Sequence, residues 1–338
     1  MLFIKRAARA GDRWTAHVAF PGGKRDPNDA DDCAAAVRET FEEVGLDLGP
    51  ALACGKLPDR IVTTSWGTVP LMVLCPFVFL LTDAAPPALH LQPTEVASAH
   101  WVPLRLLLDP ALRTTEACDV GDRLARRAGH ALSAVLRVAL GRMQYSAVRL
   151  WPSMSVYSPF GADFMAPVVA RKWAAPLVLW GLTLGVVEDF VDMLPPVGEA
   201  LRLWRWPTFS APDVRFVVAL MARGLKQRNM ERAMRQSVAA AMLADDVARN
   251  RRAECSAEDQ RELDELDKSL EEMGQSGVLV RSEKAGDGIL AERERVSCVN
   301  TLLEGYYDVV RMAVWVTMAG RVLVGATLVG GLVWRSKR

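Results

Sequence analysis

The amino-acid sequence predicts an α/β fold that is followed by a helical C-terminal extension. Two observations carry this prediction: β-type runs lie on both sides of one short acidic helix, and long helical stretches fill the C-terminal third. A chain of 338 residues is long enough for two domains, or for one domain with appendages. The 41 basic and 40 acidic residues leave a net charge of +1, which argues against a nucleic-acid-binding protein.

The N-terminal segment, residues 1–20, is predicted to form a strand, a loop and a second strand. A loop, a helix and another loop follow. Asp31 or Asp32 is a suitable N-cap for this helix, and Gly45 is a suitable C-cap. The first helix is therefore expected to end at about Gly45.

Residues 51–82 are predicted to be β structure. Ile61–Thr64 is a β-branched run, and Leu71–Leu81 is a long apolar run that Pro76 interrupts. The apolar run is too short and too broken for a membrane helix, so we expect it to form a central buried strand.

Three glutamates of the first helix, Glu39, Glu42 and Glu43, have the spacing i, i+3 and i+4 and share one helix face. Their like charges repel, and a hard divalent cation would offset them because carboxylate oxygens are its preferred ligands. The sequence Phe20–Gly23 is predicted to be a glycine turn in which backbone can approach a ligand closely. A solvated acidic helix face is the alternative interpretation.

The run from Gly22 to Leu46 resembles the Nudix box, G-x5-E-x7-R-E-U-x-E-E-x-G-U, in which U is aliphatic. The second half of the motif matches at Arg38, Glu39, Glu42, Glu43, Gly45 and Leu46. Thr40 stands where an aliphatic residue is usual. In the first half, Asp29 stands where glutamate is usual, and eight residues rather than seven separate it from Arg38.

These departures resemble the coenzyme A diphosphatase branch of the family, which has FPGGKRDPxD followed by a longer spacer. The lead-in to the glycines is also similar, although Ala16 replaces a glycine. Leu179–Leu184 resembles the IWGxTA element on the last helix of that branch. We expect the apolar run Trp173–Val187 to be the core face of this helix.

The resemblance implies an α/β/α sandwich with a mixed sheet, and metal-dependent hydrolysis of a nucleoside diphosphate derivative. Mg²⁺ or Mn²⁺ would be held by the side chains of Glu39, Glu42 and Glu43 and by the Gly23 carbonyl. The candidate catalytic residues are Arg38, Glu39, Glu42, Glu43 and Glu95, and the candidate substrate-binding residues are Gly22, Gly23, Lys24 and Arg25. Arg38 would orient, and Glu43 or Glu95 would act as the base. Glu95 has an alternative reading as a surface glutamate in a turn.

The substrate that the resemblance implies is coenzyme A or acyl-coenzyme A, with 3′,5′-ADP and (acyl-)phosphopantetheine as products. ADP-ribose, NADH or a nucleotide sugar is the alternative. A catalytically weak, membrane-tethered binding protein with the same fold is a hypothesis of another class. The expected partner is thus a nucleotide-type small molecule and not nucleic acid, and the sequence predicts no oligomeric state.

Three regions are predicted along the chain. Residues 1–194 form the Nudix domain with a helical insertion at about 105–165, and the break at Pro195–Pro196 ends it. Residues 195–300 form a helical extension with a long helix over 214–246 and a polar linker. Residues 301–338 form an apolar C-terminal helix.

The C-terminal helix is a candidate membrane segment. Met312–Trp334 contains one charged residue, Arg321, and its length can span a bilayer, with Trp315 and Trp334 near the ends. Arg321 argues against this, because a central arginine costs about 2.5–3.5 kcal/mol on insertion. A helix packed on the catalytic domain is the alternative. The six scattered cysteines argue against a zinc site and favour free thiols in a reducing compartment, so we expect an intracellular protein.

Overall fold

The computed structural model describes residues 1–9, 14–63, 70–82, 86–119, 139–152, 176–254 and 297–336. The strands are β1 (Leu2–Arg6), β2 (Val18–Ala19), β3 (Leu52–Lys56), β4 (Arg60–Thr63), β5 (Pro70–Leu74), β6 (Phe77–Leu80), β7 (Val96–Trp101), β8 (Arg113–Cys118), β9 (Met143–Leu150), β10 (Leu177–Trp180) and β11 (Thr208–Phe209). The α-helices are α1 (Asp32–Val44), α2 (Leu104–Leu107), α3 (Gly181–Val191), α4 (Glu199–Leu203), α5 (Pro212–Glu254), α6 (Cys298–Leu303) and α7 (Tyr306–Ser336). The polar linker predicted within 195–300 lies outside the described residues.

The first sheet has the order β2-β1-β7 and buries both of its faces. Successive residues of β1 point to opposite faces. Ile4 packs with Val44 of α1 on one face, and Phe3 packs with Leu184 and Val187 of α3 on the other. Helices therefore lie on both sides of the sheet, as expected for an α/β/α sandwich.

The second sheet has the order β10-β9-β11, and β8 also pairs with β9. Strand β10 lies beside β2, and one apolar cluster joins residues from Phe3 to Ala200 across both sheets and α3. All strand pairs that the structure describes are antiparallel. The core thus reaches beyond β8 and includes Ala200 of α4.

The helical insertion predicted at about 105–165 is wrong for much of its described part. Strands β8 and β9 occupy Arg113–Cys118 and Met143–Leu150. The arginines and alanines of this segment suggested a helix, but Val148 and Leu150 alternate with the exposed Arg149, which is the period of a strand. Residues 120–138 and 153–165 of the predicted insertion lie outside the described residues.

The central buried strand predicted over residues 71–81 is also wrong. Pro76 separates β5 from β6, and these strands belong to different two-stranded sheets. Strand β5 is largely exposed, including Leu71 and Val73. Proline has no N–H to donate to a strand ladder, so the apolar run is divided at Pro76. Before it, β5 pairs with β4, and after it, β6 pairs with β3.

The helix that the apolar run Trp173–Val187 predicts begins later than expected. Leu177–Trp180 is strand β10, and α3 starts at Gly181, whose φ of +66° favours glycine. The tryptophan of the Trp-Gly element therefore ends a strand instead of lying within a helix.

Helices α5, α6 and α7 pack together, and they contact α3 and β11. Helix α5 contains the long helix predicted over 214–246. Val214, Val218 and Ala222 of α5 pack with Val310 and Ala313 of α7. The amide of Asn229 donates hydrogen bonds of 2.9 Å to the carbonyls of Leu302 and Glu304, which fixes the turn before α7.

Ala16 adopts the left-handed conformation, with φ of +57°. A side-chain Cβ makes this conformation cost about 1 kcal/mol relative to glycine. Replacing Ala16 with glycine should therefore raise the free energy of unfolding by about 1 kcal/mol, as measured by urea denaturation. The control is Ala19→Gly in β2, which should lower it. A lower stability for Ala16→Gly would contradict the role given to this backbone angle.

Candidate active site

Helix α1 begins and ends at the capping residues that the sequence predicts. The Asp31 carboxylate accepts a 2.7 Å hydrogen bond from the Ala34 N–H, and Gly45, with φ of +67°, donates to the Phe41 carbonyl at 2.8 Å. Ala35 and Val44 are buried. These contacts fix the rotation of α1 and the place of its acidic residues.

Arg38 is the centre of an ion-pair network at the start of the site. Its guanidinium donates two hydrogen bonds to Asp29, from Nε at 2.9 Å and from Nη2 at 3.0 Å. Its Nη1 donates to Glu39 at 3.1 Å and to Glu42 at 2.9 Å, and its Nη2 also donates to the Lys24 carbonyl at 3.2 Å. Arg38 thus ties the glycine loop to the acidic face of α1.

Asp29 is a site residue that the sequence reasoning left out of the candidate set. Its side chain is only 7% exposed, and the hydrogen bonds from Arg38 lower its pKa to about 2. The signal was present in the sequence, because Asp29 stands at the first acidic position of the box.

Gly23 lies against the carboxylate of Glu39. A Cβ at Gly23 would overlap the Glu39 carboxylate, so this position admits no side chain without rearrangement. The close approach brings backbone of the loop next to a glutamate of the helix.

Glu43 is the most buried glutamate of the cluster, with 3% of its surface exposed. It accepts a 2.9 Å hydrogen bond from the Gly22 N–H, and Gly22 has a φ of +145° that favours glycine. Burial raises the pKa of Glu43 to about 7, and the negative charges of Glu39 and Glu95 act in the same direction. The Gly22 hydrogen bond and the positive charge of Arg6 lower this pKa.

Glu95 lies in a turn and forms a 2.9 Å ion pair with Arg9, whose Nε also donates to the Thr94 carbonyl. Its charge acts on Glu43, but its side chain accepts a hydrogen bond from Arg9, which is outside the network around Arg38. Glu95 is therefore a partly exposed glutamate that is paired with Arg9 and whose charge acts on Glu43.

Lys24 and Arg25 flank the glycine turn. Arg25 donates to the carboxylate of Asp32 at 3.3 Å and to the Ala30 carbonyl at 2.9 Å, so it supports the loop. Lys24 and Arg25 line an open depression of about 460 Å³ together with Asp26 and Pro27. Both side chains remain candidates for phosphate contact.

The three glutamates do not form an assembled metal cage. No group of three acidic, histidine or cysteine side chains within the described residues is arranged to hold a metal ion. The carboxylates of Glu39 and Glu42 accept hydrogen bonds from Arg38, and the carboxylate of Glu43 accepts one from the Gly22 N–H. The residues still fit a hard divalent cation, since each is an oxygen donor and the glycine at position 23 keeps backbone next to Glu39.

Comparison with known proteins decides the family. The NUDIX domain profile matches residues 1–118, which include α1 and the Arg38 network. An uncharacterised protein of Schizosaccharomyces pombe is 35% identical over 231 residues, which is 68% of this chain and 67% of that protein. The chain belongs to the Nudix hydrolase family. It is therefore an enzyme that hydrolyses pyrophosphate bonds, and members of this family generally use divalent metal ions.

Two further relatives of this Nudix hydrolase carry a substrate in their names. The mitochondrial coenzyme A diphosphatase of Homo sapiens is 28% identical over 181 residues, which is 54% of this chain and 69% of that enzyme. The peroxisomal coenzyme A diphosphatase of Mus musculus is 72% identical over 29 residues, which is 9% of this chain and 12% of that enzyme.

Proposed function

We propose that this Nudix hydrolase cleaves the diphosphate of coenzyme A or an acyl-coenzyme A, and releases 3′,5′-ADP and (acyl-)phosphopantetheine. The observation that carries the proposal is the two-point ion pair between Asp29 and Arg38. An aspartate side chain is shorter than a glutamate, and one extra residue in the spacer accompanies it. The aspartate and longer spacer, which resemble the coenzyme A branch, thus still allow the carboxylate to accept two hydrogen bonds from Arg38. The names of two relatives point the same way.

The residues of the chain have separable tasks in this reaction. Glu39, Glu42, Glu43 and the Gly23 carbonyl would hold Mg²⁺ or Mn²⁺. When bound, the cation neutralises diphosphate oxygens and lowers the pKa of the attacking water. Arg38 holds Glu39 and Glu42 in place and joins them to the glycine loop.

A water molecule must lose a proton as its oxygen bonds to phosphorus and the bridging P–O bond breaks. Glu43 and Glu95 are the two candidate acceptors. Glu43 lies against the glycine loop, whereas Glu95 is paired with Arg9 at the surface. The geometry favours Glu43 for a role at the reacting atoms.

The test is a substrate panel with Mg²⁺: coenzyme A, ADP-ribose, NADH and a nucleotide sugar. We expect the highest kcat/KM with coenzyme A or an acyl-coenzyme A, and 3′,5′-ADP among the products. A higher kcat/KM with another member of the panel would replace the proposed substrate. No hydrolysis of any member, with metal bound, would favour the binding-protein hypothesis.

We also propose that the end of α7 attaches the enzyme to a membrane. Within the described residues, one helix is long and apolar enough to cross a bilayer, and only 7% of its most apolar window is buried. Arg321 pairs with Asp213 of α5 through two contacts of 2.7 Å, so its charge is offset by protein. Beyond it, Val322 is 72% exposed and Leu328 is 64% exposed, with Trp334 near the end.

The exposed part of α7 is shorter than a full membrane span. Val322–Trp334 provides about 13 residues, or roughly 20 Å of helix, whereas a hydrocarbon core is about 30 Å thick. With Arg321 paired to Asp213, this segment therefore enters the apolar layer instead of crossing it unaided.

Replacing Leu323 and Leu328 with aspartate should lower the fraction of enzyme that floats with phospholipid vesicles by about tenfold or more, because charge in the apolar layer is costly. Met242→Asp is the matched control, since Met242 is an exposed apolar residue of α5. It should float like the wild type. Equal flotation of all variants, or no flotation of the wild type, would contradict the attachment.

A further inference from the structure

A cluster of aromatic side chains lies on the sheet face that carries the acidic helix. The ring of Trp180 is 5.0 Å from His17 and 5.9 Å from Tyr145, measured between ring centroids. These three residues, which we call the aromatic shelf, come from the position just before β2, from β9 and from the end of β10.

Strand alternation places the shelf on a particular side of the sheets. Val18, Val148 and Leu179 belong to the apolar cluster on the α3 side. His17 and Trp180 are each one residue away from a member of that set, and therefore point to the opposite face. Tyr145 is three residues from Val148 along β9 and has the same orientation as Trp180.

The opposite face is the one that holds the candidate active site. Ala19, two residues after His17, packs in the cluster that contains Val44 of α1. The Arg6 N–H donates to the His17 carbonyl at 2.9 Å, and the charge of Arg6 acts on Glu43. The shelf is thus next to the residues that surround the glutamates.

Two helical elements border this part of the sheet. Helix α1 covers β1 on one side. On the other side, Tyr145 packs against the cluster that α5 and α7 form with Met143 and Phe209. The C-terminal extension therefore forms a wall beside the aromatic shelf.

The residue that follows Trp180 borders open space: among the described residues, no atom lies within 4 Å of the position that a Cβ would take on Gly181. Trp180 itself is half-buried, so part of its surface is accessible. From His17 to Gly22 the chain reaches at most about 17 Å, so one nucleotide-sized molecule can contact both the shelf and the glycine loop.

We propose that the aromatic shelf binds the adenine ring of the substrate, with Trp180 as the stacking surface. The proposal rests on the proposed function, because it concerns the base of the same substrate. A flat base stacks on an aromatic side chain through apolar contact and ring electrostatics. In this arrangement the diphosphate lies at the glycine loop, and the extension of α5 and α7 helps to enclose the nucleotide end.

The test compares the binding of two products to the full chain by calorimetry. Trp180→Ala should weaken the binding of 3′,5′-ADP by about 10- to 100-fold, the range for loss of one base stack, and leave phosphopantetheine binding unchanged. Trp180→Phe should retain most of the affinity. In kinetics, Trp180→Ala should raise KM for coenzyme A with little change in kcat.

The control is Trp315→Ala on α7, because Trp315 is 75% exposed and lies outside the shelf. It should bind both products as the wild type does. His17→Ala provides a second test of the shelf if Trp180→Ala fails to fold, and it should also weaken 3′,5′-ADP binding selectively.

Unchanged 3′,5′-ADP affinity in folded Trp180→Ala, or an equal loss for phosphopantetheine, would overturn the shelf. Coenzyme A hydrolysis with an unaltered KM in that variant would overturn the shelf and leave the proposed reaction intact. If the wild type does not hydrolyse coenzyme A but Trp180→Ala still weakens 3′,5′-ADP binding, the proposed reaction is overturned and the shelf is supported.

Discussion

Replacing Glu42 with glutamine should lower kcat for diphosphate hydrolysis by about 10²- to 10⁴-fold, the range seen when a charged or proton-transferring group is removed from an active site. The amide keeps the size of the side chain but removes the negative charge that a divalent cation requires. The Glu42 side chain is exposed and accepts a hydrogen bond from Arg38 at 2.9 Å, so the fold should be unaffected. Glu39→Gln should have an effect of similar size, because Glu39 lies between Arg38 and Gly23.

The measurement is kcat at saturating Mg²⁺ and substrate, together with the thermal unfolding midpoint of each variant. Glu231→Gln is the matched control, because Glu231 is an exposed glutamate on helix α5, away from the site. It should keep wild-type kcat. A kcat within twofold of the wild type for Glu42→Gln would refute the assigned site.

Replacing Asp189 with asparagine should lower the free energy of unfolding by about 3–5 kcal/mol, because it leaves a buried arginine without its counter-charge. Asp189 pairs with Arg60 of β4, and both side chains are almost fully buried. The same carboxylate accepts hydrogen bonds from the hydroxyl of Ser297 at 3.0 Å and from the N–H of Val299 at 3.3 Å. Asp189 therefore joins the catalytic domain to the start of α6.

Urea denaturation of the single and double variants tests this junction. Glu199→Gln is the control, because its ion pair with Arg202 is at the surface and should contribute less than about 1 kcal/mol. The double variant Arg60→Met, Asp189→Leu should be less destabilised than either single variant, since no buried charge is left unpaired. A loss below about 1 kcal/mol for Asp189→Asn would show that the junction does not stabilise the fold as its burial implies.

Local sequence was sufficient to predict the elements that hold the site. The caps Asp31 and Gly45 act on backbone groups within four residues, and Arg38 meets Glu42 across one helical turn. These interactions depend on the helix alone. The α/β/α arrangement followed from the resemblance, and the two faces of β1 confirm it.

Long-range interactions explain most of what was missed. Arg113 belongs to a strand and is buried against Glu188 of α3, 75 residues further along the chain. A charged side chain can be buried only where a distant partner meets it, and sequence spacing does not reveal that partner. Arg321 is a similar case, because Asp213 precedes it by 108 residues.

The glutamate cluster shows the same division between local and distant information. The spacing predicts that three carboxylates share one face of α1. It does not predict that Asp29 and Gly22 would reach Arg38 and Glu43 from the preceding loop. That loop supplies the Gly22 N–H that donates to Glu43 and the Asp29 carboxylate that Arg38 contacts.

The most direct test of the site is a titration of the enzyme with Mn²⁺, followed by electron paramagnetic resonance of the free ion, without any substrate. The wild type should bind Mn²⁺, and the triple variant Glu39→Gln, Glu42→Gln, Glu43→Gln should lose that binding while it remains folded. Mn²⁺ binding of equal affinity in the triple variant, or none in the wild type, would contradict the claim that these glutamates hold the catalytic metal.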